Sequence, residues 1–192
     1  RAANTLTTIA AAGILDLTHC LEWASTADVM VNGILRINAG GYLNGNSPRY
    51  AVNSWLEYKT GGHYNRSFEW SALNGTVGVT KGYPDKVEIS LNTQVVGNAN
   101  TLPQGGLGVG DILNVLNNSG LHIDGTGNGG PALDVPVLRV LGTLTLPVGF
   151  GRDLWIRKSI TFTSASATFN HNYRGVILKD NTNADFNTTG KG

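Results

Sequence analysis

An all-β solenoid, a right-handed parallel β-helix, is the fold this sequence predicts, and three observations carry the prediction. Apolar residues recur at every second position over many short stretches, the period of a strand buried on one side. Gly and Asn, 26 and 20 of 192 residues, punctuate those stretches, and both tolerate the left-handed backbone that tight corners require. The motif Val-x-Gly-x-Leu-x-Ile/Leu occurs at 31–37 and again at 140–146, and Ile-x-Lys-x-Ile-x-Phe at 156–162 follows the second copy at an offset of 16 residues. An offset near one coil length is expected of a solenoid, whose rungs place like residues above like. The alternative is a β-sandwich, which favours hairpin dipeptides between strands of similar length; the best such candidate, Leu73-Asn74-Gly75, sits in an irregular stretch.

Taken in order, no segment beyond the first 25 residues reads as a helix. In "VMVNGILRI", Val29, Val31, Gly33, Leu35 and Ile37 share one face, and Met30, Asn32, Ile34 and Arg36 take the other. The same alternation runs through 54–58, 86–91, 112–116 and 121–124. It returns at 138–146, where Leu138, Val140, Gly142, Leu144 and Leu146 face inward, and then at 154–156, 159–163 and 175–179. Rungs of about 16 to 25 residues give about eight to ten coils. At about 4.8 Å per rung the rod is about 40 to 50 Å long. One domain spanning 1–192 is expected, stabilised by neighbour stacking, with terminal rungs that are capped, pair end to end, or continue into a longer solenoid.

Composition narrows the function classes. Lys plus Arg (14) balances Asp plus Glu (13) with neither sign clustered, which disfavours nucleic acid and an electrostatic membrane anchor. No apolar stretch approaches the length of a spanning helix, and the first residues lack a signal-peptide layout. Cys20 is the lone cysteine, so it forms no internal disulfide and is expected to be a small buried apolar residue.

Few motifs carry chemistry. "GTGNGG" at 125–130 matches a dinucleotide fingerprint in form but precedes Pro131 and no helix, so it reads as a loop. "GGLGVGD" at 105–111 resembles a single calcium-binding glycine repeat, but Asp111 falls one position late and no tandem copy follows; Asp124 and Asp134 add little. His19, His63, His122 and His171 lack metal-ligand spacing. No metal and no cofactor is expected.

The densest stretch is "LEYKTGGHYNRSFEW", 56–70. Glu57 and Glu69, with Lys59 or Arg66 nearby, are the candidate carboxylate pair for glycosidic chemistry. Alternation argues instead that Leu56 and Tyr58 point inward, that Glu57 and Lys59 face solvent, and that Arg66 and Glu69 form a surface ion pair. Gly61-Gly62 is the expected corner, and an excursion ends near Gly82-Tyr83-Pro84. Trp55, Tyr58, Tyr64 and Trp70 are the candidate aromatic platforms for sugar rings. "TLTL" and "TFTSASAT" hint at an ice-binding face without regular ranks of threonine.

The order of several elements resembles the β-strand-repeat secreted surface proteins of Bacteroidetes exported by the type IX system. These elements are "NSPRY" (46–50), "SWLEY" (54–58), Gly61-Gly62, Tyr64, Arg66, Glu69-Trp70, "GYP" (82–84) and "VEIS" (87–90). Its repeats are also similar to "VNGILRINAGGYL" and to "LRVLGTLTL" with the following "GRDLWIRKSITF". The resemblance implies a parallel β-helix in an extracellular or cell-surface polypeptide, with no catalytic residues to carry over. Lys158 stands where its pattern has Gly, "NHNYRG" stands where it has a shorter turn, and no sorting domain is evident in "NADFNTTGKG".

A structural or adhesive module is therefore expected, with itself or surface glycans as partner, end-to-end assembly into a filament among its expected behaviours, and no membrane insertion. The alternative is a carbohydrate-active enzyme or glycan-binding β-helix.

Overall fold

The computed structural model describes residues 6–98, 107–124, 132–148, 153–179 and 185–187. They wind into about seven turns of a β-solenoid. The first turn lays down β1 (Leu6–Ile9), β2 (Ile14–Leu17) and β3 (Cys20–Glu22), and the second β4 (Asp28–Val31), β5 (Ile34–Asn38) and β6 (Tyr42–Asn44). β7 (Arg49–Tyr50), β8 (Trp55–Lys59) and β9 (His63–Asn65) form the third, followed by a single 3₁₀ turn at Phe68–Trp70. Then come β10 (Lys86–Ile89), β11 (Gln94–Asn98), β12 (Leu107–Gly108), β13 (Ile112–Val115) and β14 (Gly120–Asp124). The chain continues through β15 (Leu133–Val140), β16 (Thr143–Thr145), β17 (Leu154–Phe162), β18 (Thr168–Asn170), β19 (Val176–Leu178) and β20 (Asp185–Asn187). Where helix was not excluded, in the first 25 residues, the described part is strand.

Among the described residues every strand pairing is parallel. Sandwich sheets are antiparallel, so the solenoid is the correct alternative. The largest sheet runs β2-β5-β8-β10-β13-β15-β17-β19. Registers stack Leu15, Leu35, Leu56, Val87, Leu113, Leu138 and Ile160 into one inward column. The adjacent column is Leu17, Ile37, Tyr58, Ile89, Val115, Val140 and Phe162. Nearly all are buried in one continuous core, each large aliphatic side chain contributing about 1.5–3 kcal/mol relative to exposure. On a second face Tyr64, Val95, Leu121, Leu144 and Phe169 stack likewise.

The long strands β15 and β17 each serve two faces. β15 pairs with β12 and then β13, and β17 with β19 and then β20. Between β15 and β17 the register shifts at Val135/Val137. Pro136 occupies that point, where a residue without an N–H does least harm to the ladder.

Four expectations need correction. Val140 pairs with Phe162, so the true step there is 22 positions, and the 16-residue offset of the sequence motifs is not a rung. Rungs run from 19 residues (Met30 to Arg49) to 31 (Trp55 to Lys86), which leaves about seven turns where eight to ten were expected. The Val-x-Gly-x-Leu motif is a corner between two strands and not one straight strand. Gly33 lies between β4 and β5, and a Cβ there would overlap the carbonyl oxygens of Gly13 and Ala10; at Gly142, between β15 and β16, it would overlap those of Ser119 and Leu116. Inward alternation nevertheless persists through both corners. Cys20 is exposed, because Leu21 takes the inward position of β3 and period two turns its neighbours outward.

The longest rung contains the excursion. Ser71 N and Ala72 N both donate to Gly82 O at 3.0 Å, closing its neck. Gly82 N donates to Pro48 O (2.7 Å), Gly78 N to Tyr50 O (2.6 Å) and Gly108 N to Ala72 O (3.0 Å), so the excursion joins β7 to β12. Its return was correctly located in the sequence, where Tyr83 is buried; Gly61, with φ 71°, is the corner between β8 and β9 inside the rung, and the chain leaves the rung only after β9. On the second face, β3-β6 and β9-β11-β14-β16-β18 are separate sheets, with no pairing between β6 and β9.

Candidate functional site

Strand β8 divides the candidate cluster between two faces. Leu56 and Tyr58 point into the core, so Glu57 points outward, as alternation requires. Glu57 is nevertheless well covered. Its Oε2 accepts from Arg36 Nε at 2.7 Å and lies 3.0 Å from Lys59 Nζ, while Arg36 Nη1 reaches Asp16 Oδ1 at 3.3 Å. The hydrogen bond to Glu57 is the main cause that raises the Arg36 pKa above its ordinary value. These side chains lie in one row across the sheet, Asp16, Arg36, Glu57, Glu88, Asn114 and Arg139. Trp55 is half-buried beside this row, with Lys86 Nζ 5.7 Å from its ring centroid.

Behind β8 lies a buried polar node. The 3₁₀ turn carries Glu69 into the core, fully buried. Its Oε1 accepts from Ser67 N (2.8 Å), Tyr58 Oη (3.1 Å) and Tyr64 Oη (3.2 Å), and Tyr50 Oη donates to its main-chain carbonyl at 2.8 Å. Burial pushes the Glu69 carboxyl above the usual carboxylate range, against the opposing pull of the Ser67 amide, the Tyr58 hydroxyl and Arg66. Burial also lowers the Arg66 pKa, and that guanidinium donates from Nη1 to Trp70 O. Among the described residues Glu69 Oε2 and Arg66 Nε have no hydrogen-bond partner. Tyr50, Tyr58 and Tyr64 are pushed well above the usual tyrosine range, first by burial and then by Glu69. Trp70 Nε1 donates to Gly108 O at 2.8 Å and Tyr83 Oη to Val109 O at 3.1 Å, so the node locks the excursion to β12.

This geometry overturns three readings of the cluster. Arg66 and Glu69 are no surface ion pair: both are buried, 4% and 0% exposed, because the excursion covers them. Tyr58 and Trp70 are fully buried and Tyr64 nearly so. Their rings pack on one another, centroids 5.4 Å apart for Tyr58–Tyr64 and 6.3 Å for Tyr58–Trp70, and present no face to a sugar. Trp55 alone of the four proposed platforms reaches solvent. Glu57 and Glu69 occupy opposite faces of the sheet, so they cannot flank one glycosidic bond.

A scan of protein-family models finds no match, and searches of curated proteins and of solved structures find none either.

The remaining motifs fall as follows. Asp134 is buried and holds Arg157 with two hydrogen bonds, 2.8 and 2.7 Å, and Asp111 lies 3.9 Å from Lys86 Nζ. The Asp124 side chain and the loop at 125–130 lie outside the described residues. His122 meets Gln94 Oε1 at 2.9 Å. Among the described residues no group of three or more His, Cys, Asp or Glu is placed to hold a metal ion, and no helix is long and apolar enough to cross a membrane. Thr143 and Thr145 stack on Thr168 and Asn170 but follow Gly120 and His122, so the threonine rank spans two rungs on one side only.

Sequence reasoning missed the burial of the Glu69 node. The available signal was the density of aromatic residues around one carboxylate, a ratio better suited to a core than to a solvent-facing strand.

Proposed function

We propose that this chain is a structural or adhesive solenoid module of an extracellular or cell-surface polypeptide, interacting with copies of itself or with surface glycans. The observation that carries the reading is the use made of the polar chemistry in the densest cluster. Glu69, Arg66 and three tyrosines brace an excursion inside the core, and Glu57 is held by Arg36 and Lys59 on the outside. Rung-on-rung stacking of the inward columns suits a stiff spacer. The resemblance to β-strand-repeat surface proteins of Bacteroidetes supports export by the type IX route, and the readiness of exposed rungs to pair supports end-to-end assembly into filaments.

Electron microscopy and small-angle scattering of the purified chain, with a glycan array, test this. Rods that assemble, or selective glycan retention, are expected. A monomeric particle that neither assembles nor retains any glycan, or polysaccharide cleavage abolished by Glu57→Gln, would sink the reading.

A further inference from the structure

The turn after β18 carries a feature that the core does not explain. Arg174 N donates to His171 O at 2.8 Å, and the two residues between, Asn172 (φ 48°) and Tyr173 (φ 61°), are both left-handed. In this mirror-image tight turn Asn suits the first central position and Gly the second. Asn172 fits that rule and donates from Nδ2 to Leu146 O at 2.6 Å. Tyr173 breaks it, because a bulky side chain is strained in left-handed backbone, and burial gives nothing back: Tyr173 is 92% exposed.

The ring belongs to a series that climbs from the core to solvent. Phe162 is buried, and Phe169 lies 5.5 Å from it between ring centroids. His171 follows at 6.1 Å from Phe169, and Tyr173 meets His171 edge-on at 6.2 Å. Backbone strain kept in place to display a side chain points to a ligand. The flanking groups indicate its class. Thr168 and Asn170 are exposed, and Asn170 Nδ2 reaches Thr145 Oγ1 at 3.2 Å, so hydroxyls and amides lie beside the rings. Aromatic faces next to neutral hydrogen-bonding side chains suit a molecule with an apolar C–H face and a rim of hydroxyls. A protein partner would call for a wide apolar centre, whereas the exposed neighbours of these rings along β18, Thr168 and Asn170, are polar.

We propose that Tyr173, braced edge-on by His171, forms a stacking platform for a neutral, equatorially linked pyranose chain, with Asn170 hydrogen-bonding its hydroxyls. The inference rests on the adhesive reading and names its ligand class. The test is calorimetric titration of the full chain with cellohexaose, xylohexaose and chitohexaose, for wild type, Tyr173→Gly and His171→Ala. Wild type binds at least one of them. Tyr173→Gly, which relieves the strain, melts no lower than wild type yet binds about tenfold more weakly, and His171→Ala binds several-fold more weakly. Wild-type affinity retained by both variants overturns the subsite and leaves the adhesive reading standing. Absence of wild-type binding to all three overturns the subsite, while the array and microscopy decide the wider reading independently. Tyr173-dependent capture of a protein in place of any glycan overturns it in favour of a protein interface.

Discussion

Replacing Glu69 by Ala removes the acceptor around which the excursion is organised. Three donors converge on Oε1: the hydroxyls of Tyr58 and Tyr64 and the amide of Ser67. A stranded buried donor costs about 1–3 kcal/mol. Ser67 is half-exposed and can turn to water, so the two buried hydroxyls set the loss at about 2–6 kcal/mol. The pH decides how much of it is seen. Burial raises the Glu69 pKa, so the folded chain holds this proton more tightly than the unfolded chain. The resulting stability is fully present below the ordinary carboxylate value of about 4.3 and is lost as pH rises through the raised value. Glu69→Ala is therefore most costly near pH 4 and less so at higher pH, where the wild type carries the burden of a buried charge. Glu69→Gln keeps the acceptor and cannot ionise; it matches wild type within about 1 kcal/mol near pH 4 and overtakes it as pH rises. Urea denaturation followed by tryptophan fluorescence from pH 4 to 8 measures both, since Trp70 is buried against Tyr58. The reasoning is refuted if Glu69→Ala is neutral at pH 4, or if wild type gains on Glu69→Gln with rising pH.

Three further outcomes are expected. Gly33→Ala and Gly142→Ala each lower stability by about 1–3 kcal/mol or more, because the new Cβ meets backbone that cannot swing away, while Gly62→Ala, with open space around it, stays within about 0.5 kcal/mol in the same thermal melts. Glu57→Gln weakens the contacts to Arg36 and Lys59; because those two cations are partly exposed and can turn to water, this costs about 1 kcal/mol or less and shrinks in 1 M salt, as melts at two ionic strengths would show. Cys20, exposed on β3, is labelled by a thiol reagent in the native protein without denaturant, and labelling that proceeds only in denaturant would contradict its placement.

Much of the fold was legible because period two survives the corners. Val29 to Ile37 and Leu138 to Leu146 face inward as alternation requires, even though each stretch turns at a glycine. The rung length was less legible because loops of unequal length separate strands in register, so Ile156 aligns with Val135 and not with Val140. In the candidate site, alternation correctly divided Leu56 and Tyr58 from Glu57, since those residues lie on a strand. It had no purchase on Arg66 and Glu69, which lie beyond β9 where the backbone leaves the strand for a 3₁₀ turn. Whether those charges meet water depends on the excursion through residues 71–82 folding back between β7 and β12, and no local pattern encodes that long-range cover. Cys20 was misplaced for a simpler reason: residue type was weighed above its position beside Leu21.

The missing pairing between β6 and β9 has a mechanical meaning. In a stack of parallel rungs the interstrand hydrogen bonds run along the rod, so a pull on its ends is shared among the faces at each level. Between the second and third turns that load falls on β5–β8 and on the two residue pairs of β4–β7, helped on the remaining side by Ser67 Oγ donating to Leu43 O at 2.8 Å. Under tension the first two turns should detach together at this level while the turns beyond it hold, making it a built-in point of yield.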